Sequence, residues 1–122
     1  MWKIYHRVKT YKYIVGKRII VCLSCLEENE YSQIQFQIYG RVVKADEHSI
    51  IVYMENNDDV LKSIASNFQI DLVNKEFVLP PLLSGISYAV EGEYHLKYSN
   101  EIVHKPDFVS SWTIKPIAKN SV

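Results

Sequence analysis

The 122 residues suit one domain and leave no room for two. Hydrophobic residues make up 48%, which excludes wholesale disorder, and a chain of this size can bury a core without disulfides or a metal. The 14 basic and 14 acidic residues cancel, so net charge supplies no general attraction to nucleic acid or an anionic membrane.

That cancellation hides an asymmetry. Residues 1–22 carry Lys3, Arg7, Lys9, Lys12, Lys17 and Arg18 with no acid, whereas residues 46–76 carry seven acids against Lys62 and Lys75. Met1–Thr10 has charges every few residues and no apolar stretch of the kind a secretory signal needs. No run reaches the ~18 apolar residues of a membrane helix. A reducing cytosol is therefore expected, with Cys22 and Cys25 as thiols.

In chain order, Trp2–Val15 mixes aromatics with bases, and residues 1–15 read as a loosely docked arm or an edge strand. After Gly16, the Ile- and Val-rich stretch Arg18–Leu26 reads as a strand buried on both faces. Residues 27–30 make a turn. From Ser32, Ile34, Phe36 and Ile38 alternate with glutamines, a half-buried strand. Gly40 reads as a bulge or sharp bend in it, and Arg41–Ala45 continues it. A turn at 46–49 leads to the return strand Ile50–Met54.

Asn57 suits a helix cap, and Asp58 and Asp59 fall in the first turn, where the helix dipole favours anions. Val60, Leu61, Ile64, Ala65 and Phe68 then recur at helical spacing, so an amphipathic helix is expected near 58–68. Short strands are expected at Ile70–Val73 and Phe77–Leu79, the second ended by Pro80-Pro81. Glu93–Tyr98, Ile102–Val103 and Val109–Ile114 read as the last strands, and 115–122 as a frayed tail. The expected architecture is mainly β (a β-rich α+β domain): a strongly bent antiparallel sheet or a small SH3-like barrel with one inserted helix, in a single domain spanning 1–122.

Chemistry is sparse. Cys22 and Cys25 form a C-x-x-C, but no second pair exists and His6, His48, His95 and His104 are scattered. Residues three apart on a strand point to opposite faces, so the sulfurs diverge and both read as small buried apolar residues. His95 and His104 lie near Glu93, Glu101 and Asp107, where an acid–base pair is conceivable, yet the spacing of Glu93 and His95 is that of an exposed strand face. Ser110 and Ser111 lack the glycine pattern of a nucleophile elbow, and the four glycines form no phosphate loop. No catalytic residue, metal or cofactor is expected. Nine tyrosines, several interleaved with bases, leave two binding readings: aromatic anchors of a protein interface, or stacking on single-stranded nucleic acid through 2–18.

A resemblance sharpens the first reading. Val15-Gly16-Lys17-Arg18 with its hydrophobic continuation, Gly40-Arg41-Val42, Leu79-Pro80-Pro81, Gly92-Glu93-Tyr94 with Leu96, and Pro106-Asp107 followed by Trp112 occur in an order that resembles a group of small bacterial β-rich proteins. These are similar to the immunity proteins of polymorphic toxin and contact-dependent growth-inhibition systems. The likeness covers about residues 14–114 and departs by an insertion at Asp58–Phe68. It implies a protein that binds one cognate toxin domain, commonly a nuclease with a basic cleft, and covers its active site or substrate entry. An acidic patch of Glu55, Asp58, Asp59 and Asp71, with Tyr53 as aromatic anchor, is the expected contact surface. A small-barrel nucleic-acid binder and a non-catalytic adaptor are the alternatives, and an unpaired edge strand would allow a homodimer.

Overall fold

The computed structural model describes residues 10–26, 33–65, 70–97 and 99–114. The arm expected over Trp2–Lys9, the end of the helix at Phe68 and the tail 115–122 lie outside them.

The chain enters through a four-residue helix, α1 (Tyr11–Ile14), not a strand. Thr10 Oγ1 accepts a hydrogen bond from Tyr13 N, and Ile14 is fully buried. One capped turn anchored by one apolar side chain stands at the end of the stretch read as an arm or edge strand. Gly16, at φ +85°, redirects the backbone.

Among the described residues, eight strands follow: β1 (Arg18–Leu26), β2 (Gln33–Ala45), β3 (Ile50–Met54), β4 (Glu76–Leu79), β5 (Ile86–Tyr88), β6 (Glu93–His95), β7 (Ile102–His104) and β8 (Phe108–Ile114). Six make one sheet in the order β4-β3-β2-β1-β8-β5, and β6 and β7 make a separate hairpin. Contrary to the antiparallel expectation the sheet is mixed: β1 and β8 run parallel, with Ile19 opposite Phe108 and Leu23 opposite Trp112. Nor is it a closed barrel, since β4 and β5 are edges. It is bent far enough that Phe77 and Leu79 of β4 and Trp112 of β8 line one cleft of about 170 Å³.

The bend creates two cores. On the inner face Ile19, Val21, Leu23, Ile38, Val42, Ile50, Val52, Met54, Phe77 and Phe108 pack with Ile14 and with α2 (Asp58–Ala65), which supplies Leu61 and Ile64. On the outer face the β6–β7 hairpin covers only part of the sheet, where Leu96 and Val103 meet Ile20, with Cys22, Tyr39 and Tyr94 at the margin. β1 is thus apolar on both faces because both are covered. Cys22 is half-buried rather than buried, and its Sγ accepts a hydrogen bond from Gln37 Nε2 at 3.6 Å.

Two further expectations change. Gly40 is no bulge; it pairs in register with Ile19 and Met54, and the irregularity falls between Val42 and Lys44. A Cβ at Gly40 would stand 1.7 Å from the Tyr53 carbonyl oxygen, so close approach of β3 requires glycine. Ile70–Val73 is no strand. Asp71 makes one isolated bridge to Glu76, and Asp71 Oδ1 accepts from Asn74 N at 2.9 Å, closing a turn that ends in Lys75 at φ +57°. No described helix is long and apolar enough to cross a membrane.

Candidate protein-docking face

Among the described residues, nothing covers the outer face of β2, β3 and β4 where the hairpin stops. Cross-strand register writes its rows. Arg18 faces Arg41, Arg41 faces Tyr53, and Tyr53 faces Glu76. Past the irregularity in β2, Lys44 faces Ile51 and Ile51 faces Val78. Tyr53 is 40% exposed and Val78 60%, while the alternate residues Val52 and Phe77 are in the core. The face is therefore an apolar centre of Tyr53, Ile51 and Val78 bordered by charges of both signs. Its rigidity follows from the burial directly beneath it.

The four acids expected to form a patch, with their Tyr53 anchor, are only partly gathered there. Tyr53 is central. Asp71 lies one step beyond Glu76 through its backbone bridge. Asp58, at the start of α2, reaches the same border through Lys75, whose Nζ is 3.1 Å from Asp58 Oδ1. That hydrogen bond raises the Lys75 pKa. Glu55 instead lies between two arginines, 3.8 Å from Arg18 and 3.8 Å from Arg41. Arg18 and Arg41 are cross-strand neighbours whose like charges would repel, and Glu55 offsets that repulsion. Asp59 points elsewhere, into a cleft of about 310 Å³ with Gln37, Val60, Ser63 and Asn100. So the surface is mixed rather than acidic, and Glu55 and Asp58 are largely neutralised in place. Asp71 keeps its charge well below the usual carboxylate range, held there by hydrogen bonds from Asn74 N and the Asn74 side chain.

Ile51 and Val78 escaped the sequence reading, although a signal existed. Ile50–Met54 and Phe77–Leu79 are apolar at every position, so each must place apolar groups on a second face.

Beside this face a buried polar link joins hairpin to sheet. Asn56 and Glu101 are 4% and 7% exposed. Asn56 Oδ1 accepts from Tyr39 N at 3.0 Å, and its Nδ2 donates to Glu101 Oε1 at 2.8 Å. Glu101 Oε2 accepts from Asn57 N at 2.7 Å. Glu101 is thereby turned inward, away from the histidines near it in sequence. Those belong to Glu93, whose carboxylate is 3.9 Å from His95 and 3.0 Å from His104 on the exposed hairpin. Burial, then the nearby Glu101 and Glu55 carboxylates, push the Tyr39 phenol up.

At the opposite end of the sheet, Tyr13 of α1, Tyr88 of β5 and the buried Phe108 form an aromatic cluster with ring centroids 5.2–6.5 Å apart. Lys17 Nζ stands 5.1 Å over the Tyr13 ring. A hydrogen bond with Tyr13 raises the Tyr88 pKa. No protein-family model, curated protein or solved structure matches the chain.

Proposed function

We propose that the chain is a non-catalytic binding protein of the bacterial cytosol that neutralises a cognate toxin domain, docking it through the face centred on Tyr53. The observation that carries this reading is the Tyr53–Ile51–Val78 centre, with Tyr53 and Val78 exposed and Ile51 half-buried, on strands whose other side is core. A large ring held on a rigid strand loses little side-chain freedom on binding, which suits an interface anchor. The border of Arg41, Lys44, Glu76, Asp58, Lys75 and Asp71 offers paired charges of both signs, the border of a protein interface rather than a polyanion groove. The order of motifs, which resembles that of immunity proteins, is what suggests a toxin domain as the partner.

Co-expression with the C-terminal domain of the large protein encoded immediately upstream tests the reading. Cell survival together with a co-purifying complex is expected. An upstream domain that is harmless alone, or death with no complex, removes the toxin-neutralising reading.

A further inference from the structure

The cluster at Tyr13 holds Phe108, which lies three strands from Tyr53 and on the other side of the sheet. Phe108, which anchors it, is part of the inner core, whereas Tyr53 projects from the outer face. Its construction begins in sequence. The capped turn of α1 directs Ile14 inward and leaves Tyr13 47% exposed. Edge strand β5 pairs Tyr88 with Phe108 and leaves Tyr88 43% exposed. The two phenols lean on each other over the buried ring, with centroids 6.5 Å apart. Residues 10–18 contain Lys12, Lys17 and Arg18 and no acid. Arg18 is engaged by Glu55; Lys17 Nζ stands 5.1 Å from the Tyr13 ring centroid, and Lys12 is the exposed sequence neighbour of Tyr13. Asp107 is the nearby carboxylate, and its Oδ2 accepts from Arg18 N at 2.9 Å.

Exposed rings beside ammonium groups match one ligand chemistry well. Single-stranded nucleic acid has flat bases that stack on aromatic rings and phosphates that attract lysines. We propose that this end of the domain is a contact site for single-stranded nucleic acid, with bases stacking on Tyr13 and Tyr88 and phosphates meeting Lys12 and Lys17. Base-edge readout is not part of the site, so binding is tolerant of sequence. It is independent of the toxin-docking reading and can hold or fail alone.

The test is fluorescence anisotropy of the full chain with labelled dT12 and U12 at low and at physiological salt. Binding that weakens with salt is expected, with a slope lowered by about one to two when Lys12→Ala and Lys17→Ala are combined. Tyr13→Ala with Tyr88→Ala is expected to weaken binding about tenfold or more. Tyr13→Phe with Tyr88→Phe keeps the rings and should bind as the parent does. Absence of binding at low salt overturns the proposal. So does binding that the alanine pair leaves unchanged, or that the phenylalanine pair abolishes. Loss of protein-partner capture in the alanine pair, with no oligonucleotide bound by the parent, makes the cluster a protein contact and also overturns it. The lysine variants are on the surface and report even if the tyrosine variants fold poorly.

Discussion

The Asn56 side-chain amide donates to the Glu101 carboxylate across 45 positions of sequence, at 2.8 Å, and so ties the β6–β7 hairpin to the strand that precedes α2. The same carboxylate takes the Asn57 N–H at 2.7 Å. Removing it leaves two donors without an acceptor in a place where Glu101 is 7% exposed. Glu101→Ala should therefore cost about 2–4 kcal/mol in urea denaturation, from the desolvation of unmet donors. Glu101→Gln keeps one acceptor but sets an amide N–H against the other donor, so it should cost less than alanine while still losing one of the two bonds. Equal losses for both variants would show that both carboxylate oxygens are needed and that the side chain's shape alone contributes little.

Gly40 supports Tyr53 from behind. Because a Cβ would stand 1.7 Å from the Tyr53 carbonyl oxygen and 2.8 Å from its carbonyl carbon, the strands must separate to admit alanine. Gly40→Ala is expected to destabilise at or above the top of the roughly 1–3 kcal/mol range of overpacking. It should also weaken partner capture, since the anchor moves with its backbone. Gly92 has open space around its missing Cβ, and Gly92→Ala should show only the strain of its φ of +134°.

Glu55 is expected to behave as a neutraliser and not as a contact. Arg18 and Arg41 face each other in the ladder, each 3.8 Å from Glu55. These groups are partly exposed, so Glu55→Ala should cost only about 0.5 kcal/mol. Adding Arg41→Ala should then recover part of that loss, since the repulsion goes with it. A double-mutant cycle measures this, and strictly additive losses would count against the arrangement.

Two aspartates set the acid limb of stability. Asp46 accepts hydrogen bonds from His48 N and Ser49 N, and Asp71 accepts from Asn74, so both are held below the ordinary 3.8. Groups depressed in the fold stabilise it above their unfolded value and lose that contribution as pH falls through the folded one. Thermal midpoints should therefore drop as pH falls below about 4, and Asp46→Asn with Asp71→Asn should flatten that slope. At the alkaline end Tyr39 and Tyr88 are raised above 10.0. Their contribution is intact below the unfolded value and is lost as pH rises through the higher folded ones. Ultraviolet titration should show Tyr39 and Tyr88 ionising late, and Tyr39→Phe should remove one late-titrating phenol.

Local pattern revealed what local physics determines. Ile50–Met54 appears at its expected limits because a short apolar strand between turn residues needs nothing distant to define it. The start of α2 at Asp58 follows from Asn57 and two first-turn acids, and β4 stops where Pro80 removes a donor. Long-range pairing was not legible. Periodicity is the same in parallel and antiparallel strands, so nothing in Ile19 or Phe108 announces that they lie side by side. The helical turn at Tyr11–Ile14 is too short to show a period. Among the site residues, Tyr53 was visible from composition and position. The neutralisation of Glu55 was not, because it depends on two arginines 23 positions apart meeting in register.

Charge and apolar anchoring make separable predictions for docking. Tyr53 is best replaced by threonine, which removes the ring while keeping a residue that favours strands. If the proposed partner docks here, Tyr53→Thr should weaken its capture by about 2 kcal/mol, roughly thirtyfold in Kd, as loss of a central aromatic anchor does. Asp58→Lys with Asp59→Lys acts on the border, where Asp58 is already paired with Lys75 at 3.1 Å. Its effect on capture should fall on the association rate and its salt dependence, beside a stability cost of about 1–2 kcal/mol from cations in the first turn of α2 and the lost Lys75 pair. Calorimetry and stopped-flow kinetics on the purified complex separate the two. If the ring-less variant binds like the parent while the charge reversal abolishes capture, the contact surface lies on α2 and the cleft at Asp59. If neither changes affinity, the Tyr53 face is not the docking surface.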